Sequence, residues 1–70
     1  MMEFISVASS NLSGVHYAAD TRTLTVEFKN GSQYKYEGVP PEDYDDLMSA
    51  PSKGAHFNDY IKNQYRATRA

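Results

Sequence analysis

Across residues 23–29 polar and apolar positions alternate without a break. Leu24, Val26 and Phe28 fall on one side, and Thr23, Thr25, Glu27 and Lys29 on the other. That is the pattern of a half-buried antiparallel strand. Asn30-Gly31 follows, and then Tyr34 and Tyr36 alternate with Gln33, Lys35 and Glu37. Asn-Gly between alternating segments predicts a hairpin with a two-residue type I′ turn, in which both turn residues need positive φ. Upstream, residues 4–7 predict a short strand or extended arm, and Ser9-Ser10-Asn11 has loop chemistry, since such side chains bond to nearby backbone. Val15 and Tyr17 share one face of another strand, which ends in the turn Asp20-Thr21-Arg22.

After Gly38 the period changes. Pro40-Pro41 precedes Glu42-Asp43, and Tyr44, Leu47 and Met48 recur at helical spacing. Proline suits a first helical turn, and acidic residues there complement the helix dipole. Ala50-Pro51 ends this helix, and Ser52 is a candidate N-cap for a second one marked by Phe57, Tyr60, Ile61 and Tyr65. Residues 66–70 are expected to fray. Strands first and helices last predict an α+β domain. It is a small antiparallel sheet of three to four strands, followed by two short C-terminal helices packed on one face. Leu47, Phe57 and Ile61 are its expected helix-side core. Residues 1–70 form one domain, with a core over about 7–65.

A chain of 70 residues buries only roughly 60% of its unfolded surface. Without cysteine it has no disulfide staple and no thiolate metal site. A thin core of this kind, with six tyrosines, leads to the expectation of a homo-oligomer. The net charge of −2 disfavours a general polyanion binder, which needs a basic stripe. It leaves room for one small nucleotide held by a few cations. No signal peptide or membrane span is legible, so a cytoplasmic, non-membrane protein is expected.

In order and spacing, Ser9-Ser10-Asn11, Tyr17, Leu24-x-Val26-x-Phe28-x-Asn30-Gly31 and Tyr34-x-Tyr36 form the first half of a recognisable pattern. Val39-Pro40, Tyr44, Leu47, Ser52-Lys53-Gly54, Phe57-Asn58, Ile61-Lys62 and Tyr65 form the second. Together they resemble the KTSC domain family, named for the C-terminal extension of some lysyl-tRNA synthetases. The family also occurs as free-standing bacterial and phage proteins. The synthetase connection implies RNA binding by analogy. The acidic run over residues 42–46 departs from what an RNA binder should carry.

Two chemistries stand out. Tyr34 and Tyr36 form either a core wall or a platform on which a base stacks. Ser52-Lys53-Gly54, with Lys53 expected to be exposed, is either a plain helix cap or an anion site at a helix N-terminus. Asn58 and Lys62 share a helical face that extends the site. Ser10 and Asn11 are turn residues or readers of a base edge. Glu42, Asp43, Asp45 and Asp46 are accounted for by the helix start, and His16 and His56 complete no triad or metal motif. The expectation is therefore a module without catalytic residues, metal or cofactor. It binds a nucleotide-type ligand through Tyr34, Tyr36, Ser52, Lys53, Gly54, Asn58, Lys62, Ser10 and Asn11, with Arg66 assisting. In one concrete version it is a phage protein that sequesters a nucleotide immune signal in the bacterial host cytoplasm. The alternatives are a single-stranded RNA or tRNA binder and a protein-interaction or assembly module.

Overall fold

The computed structural model describes residues 4–7, 9 and 11–70. Among the described residues five strands form one sheet in the order β1-β2-β3-β4-β5, every neighbour antiparallel. They are β1 (Ile5–Ser6), β2 (Leu12–Ala18), β3 (Thr23–Phe28), β4 (Gln33–Glu37) and β5 (Arg66–Arg69). Helices α1 (Pro41–Ser49) and α2 (Lys53–Tyr60) lie between β4 and β5 in sequence. The α+β class and the two helices on one face match the expectation. The strand count exceeds the expected three to four.

The β3–β4 pair sets the core face. Its register places Leu24 opposite Tyr36 and Val26 opposite Tyr34, so the alternating apolar residues and both tyrosines share a side. In β2, Leu12 faces Phe28 but Gly14 faces Glu27, a bulge at Ser13. The extra residue resets the alternation, so Leu12 and Val15 both reach the core at 0% exposure.

The hairpin turn differs from the two-residue I′ form. The Gly31 amide donates to the Phe28 carbonyl (2.9 Å) and the Phe28 amide to the Ser32 carbonyl (2.8 Å). Lys29, Asn30 and Gly31 therefore form a three-residue loop. Gly31 has φ +92°, whereas Asn30 is not left-handed; Arg22 (φ 55°) is the only non-glycine in that region among the described residues. Asn30 instead accepts the Ser32 amide on Oδ1 at 2.9 Å. A loop with one left-handed glycine, leading into a bulge, needs positive φ at only one position.

Helix α1 starts as its sequence predicts. Pro40 is the N-cap, Pro41 opens the helix and Glu42 and Asp43 occupy the first turn. Tyr17 anchors the approach: its hydroxyl donates to the Val39 carbonyl at 2.6 Å, and its ring stacks on Tyr44 with centroids 4.6 Å apart. In α2 the Ser52 hydroxyl accepts the Ala55 amide, as an N-cap does. Leu47, Phe57 and Ile61 are all fully buried, with Val39 and the sheet residues.

The chain after Tyr60 corrects the expectation twice. Helix α2 stops there because the Phe57 carbonyl takes both the Ile61 and Lys62 amides, at 3.0 and 2.9 Å, closing a wide turn. Residues 66–70 do not fray. Residues 66–69 pair with β4, and the Ala70 amide donates to the Gln33 carbonyl at 2.8 Å. The strand gives the β4 edge the partners it would otherwise lack.

No helix among the described residues is long and apolar enough to cross a membrane.

Candidate functional site

An open cavity of about 520 Å³ lies where α2, its C-terminal turn and β5 meet over β4. Its floor is aromatic, formed by Phe28, Tyr34 and Tyr36. These rings are locked edge to face. Phe28 meets Tyr34 at 5.9 Å and Phe57 at 5.7 Å, and Tyr36 meets Phe57 at 5.2 Å with planes 83° apart. Asn11, Asn58 and Asn63 contribute carboxamides, Lys62 an ammonium and Ala67 a small side chain from β5. No carboxylate of the described residues lines the cavity.

The two tyrosines divide the roles left open by the sequence. Tyr36 is a core residue at 4% exposure, and burial pushes its phenol above the usual range, with neighbouring Tyr34 adding to the rise. Its hydroxyl is neutral at physiological pH and its ring is spent on packing. Tyr34 is half-buried and is the ring able to offer a face to a ligand.

Asn58 reaches the cavity from the last turn of α2, Lys62 from the turn after it rather than from a shared helical face, and Asn11 from the loop before β2. The structure therefore gathers Asn11, Tyr34, Tyr36, Asn58 and Lys62, five candidates far apart in sequence. Ser52, Lys53 and Gly54 do not line this cavity. Ser52 is occupied as the cap. Lys53 is half-buried rather than exposed, and its Nζ donates to the Ala50 carbonyl at 3.3 Å, a cation at a helix C-terminus. Gly54 is buried for close approach: a Cβ there would run into Asn11 Oδ1 and lie 2.8 Å from Ser9 Oγ. Ser9 in turn donates from its hydroxyl to Asn11 Oδ1 at 3.0 Å and accepts the Asn11 amide at 3.3 Å. The missing side chain of Gly54 thus leaves the room that Asn11 and Ser9 occupy. Ser10 lies outside the described residues.

Phe28, Asn63 and Ala67 are cavity residues that the sequence did not single out as site residues. Ala67 would have required recognising β5, whose four exposed residues carry no apolar alternation.

A second cavity of about 420 Å³ lies on the other side of α2, between Asp43 and Asp46 of α1 and His56, Tyr60 and Tyr65. Its notable contact is a hydrogen bond from the Tyr65 hydroxyl to the Asp43 carboxylate. That bond, helped by burial and the nearby negative charges, pushes the Tyr65 phenol up to about 12. The acidic run is therefore more than a helix start: one of its members ties α1 to the entrance of β5.

Comparison with known proteins adds the family. The KTSC domain model matches residues 8–65. A lysine–tRNA ligase of Nostoc punctiforme is 52% identical over 50 residues, 71% of this chain. The match spans only 9% of that ligase's own length. An uncharacterized protein of Stutzerimonas stutzeri is 41% identical over 64 residues, covering 91% of this chain and 90% of that protein. The crystal structure of a KTSC domain protein from Yersinia pestis superposes with a TM-score of 0.92 at 34% identity, covering 100% of this chain and 99% of the other. With the sequence pattern, the fold and the family model in agreement, this chain belongs to the KTSC domain family.

Proposed function

We propose that this protein is a non-catalytic module that binds a nucleotide-type ligand in the cavity between α2 and β5. The observation that supports it is convergence. Asn11, Tyr34, Asn58 and Lys62 come from a loop, a strand, a helix and a turn and meet in one cavity that no carboxylate of the described residues lines. A half-buried tyrosine face accepts any base, and such stacking contributes about 1–3 kcal/mol. Carboxamides both donate and accept, which suits the mixed edge of a base. Lys62 supplies the positive charge for a phosphate. The module holds its ligand without turning it over, and sequestration of a nucleotide signal by a phage protein is the concrete version of this role.

Calorimetry against mononucleotides, cyclic nucleotides and ADP-ribose derivatives tests the reading. Tyr34→Leu is expected to weaken binding by about 1–3 kcal/mol while leaving the fold intact. A wild-type protein that binds nothing in that set overturns it.

The ligase relative favours a second reading, binding of single-stranded RNA or tRNA. Long RNA demands many phosphate contacts and a steep salt dependence, whereas this chain carries a net charge of −2. RNA binding that falls steeply with salt would replace the nucleotide reading.

A further inference from the structure

We infer that Arg69, and not Arg66, is the second cation of this cavity, and that the ligand carries a single terminal phosphate held between Lys62 and Arg69. The inference rests on the nucleotide reading above and adds to it the position of the phosphate and the class of nucleotide.

The pairing of β4 with β5 carries the argument. Arg69 lies opposite Tyr34 and Ala67 opposite Tyr36, while Arg66 lies opposite Glu37 and Thr68 opposite Lys35. Directly opposed residues of an antiparallel pair share a face. Ala67 and Arg69 are therefore on the cavity side of the sheet, and Arg66 and Thr68 on the far side. Sequence alone could not separate the two arginines, since each is exposed and each flanks the same short strand.

Two further features single out Arg69. The Ala70 amide donates to the Gln33 carbonyl, which makes Tyr34 and Arg69 a non-hydrogen-bonded pair, the kind in which opposed side chains come closer. A strand advances about 3.3 Å per residue, so Arg69 begins roughly 7 Å along β5 from the cavity wall at Ala67, a span an extended arginine can cover. Arg66, by contrast, faces the carboxylate of Glu37 across the strand pair, and that charge competes with any anion.

The ligand class follows from charge and size. Among the described residues the cavity lining has Lys62 as its sole charged residue, so Arg69 brings the positive charge near the floor to two. Two cations match the dianion of a terminal monophosphate and leave a triphosphate largely unneutralised. A volume of about 520 Å³ falls within the usual range for one small ligand, roughly 300–1,000 Å³. A nucleoside monophosphate meets both limits, with its base over Tyr34 and its phosphate towards β5.

The test is calorimetry with the four common ribonucleoside 5′-monophosphates and their nucleosides, on wild type, Arg69→Gln, Arg69→Lys and Arg66→Gln. Circular dichroism melting of each variant checks the fold. Arg69→Gln should weaken monophosphate binding about tenfold or more, as loss of a hydrogen bond to a charged group does, and leave nucleoside binding unchanged. Arg69→Lys should restore part of the loss, and Arg66→Gln should bind as wild type. Wild-type binding that Arg69→Gln leaves untouched, or that Arg66→Gln weakens equally, overturns this inference and spares the nucleotide reading. Equal affinity of wild type for nucleoside and monophosphate overturns the phosphate assignment alone. Wild type that binds none of these ligands overturns this inference, and the nucleotide reading then stands or falls with the cyclic nucleotides and ADP-ribose derivatives.

Discussion

One added methyl group probes how closely α2 sits on the loop before β2. At Gly54 two effects oppose each other. Alanine is the better helix former by about 1 kcal/mol, but its Cβ would collide with Asn11 and crowd Ser9, and overpacking of this kind costs about 1–3 kcal/mol. The collision should win, because Asn11 and Ser9 are bonded to each other and cannot retreat separately. Gly54→Ala is expected to lower the melting temperature and, through the displaced Asn11, to weaken ligand binding; a more stable variant would show that the loop yields freely. Thr25 offers the opposite case. It is 1% exposed at the centre of β3, and its Oγ1 has no hydrogen-bond partner among the described residues. An unmatched buried hydroxyl costs about 1–3 kcal/mol, and valine has the same shape and favours strands. Thr25→Val should therefore raise stability by about 1 kcal/mol, measured by urea unfolding, and a loss would mean that the hydroxyl is served after all.

Among the elements, α1 and the lead-in to β5 are joined by the hydrogen bond from Tyr65 to Asp43. The Tyr65 phenol is raised from 10.0 to about 12 in the folded protein, so the unfolded chain loses that proton first as pH rises. The stabilisation is complete below about pH 10 and is lost as pH climbs through about 12. Tyr65→Phe should remove this part of the alkaline loss of stability and leave other tyrosines to titrate; an identical pH profile would sink the assignment. The hairpin and both helices were legible because periods of two and of 3.6 persist through them. Its turn type was not, because a side-chain bond from the Ser32 amide to Asn30 favours a longer loop that dipeptide statistics do not resolve. Strand β5 was hidden for another reason. All four of its residues are exposed, so no apolar alternation marks it, and it is a strand only because β4 offers an edge. The site shared that fate: Tyr34, Asn58 and Lys62 could be read from the chain, whereas Ala67 and the facing of Arg69 depend on a pairing that the sequence does not announce.

For the whole molecule, a thin core without disulfides motivates self-association. A two-fold dimer is the simplest closed form, and sedimentation at high micromolar concentration is expected to give twice the mass of 7.9 kDa. A purely monomeric boundary would remove that proposal. The strand order β1-β2-β3-β4-β5 also has a kinetic consequence. The first four strands are each joined to their sheet neighbour by a short connection, and contacts so local in sequence close cheaply and fold fast. The last pairing is different, since both helices intervene between β4 and β5. That pairing must wait for α1 and α2 to dock, and by the same logic it opens first. In native-state hydrogen exchange the amides linking β4 to β5 should exchange before those between β2 and β3. A ligand bound against Ala67 would then slow their exchange, so the C-terminal strand would act as the latch whose opening rate sets how long the ligand stays.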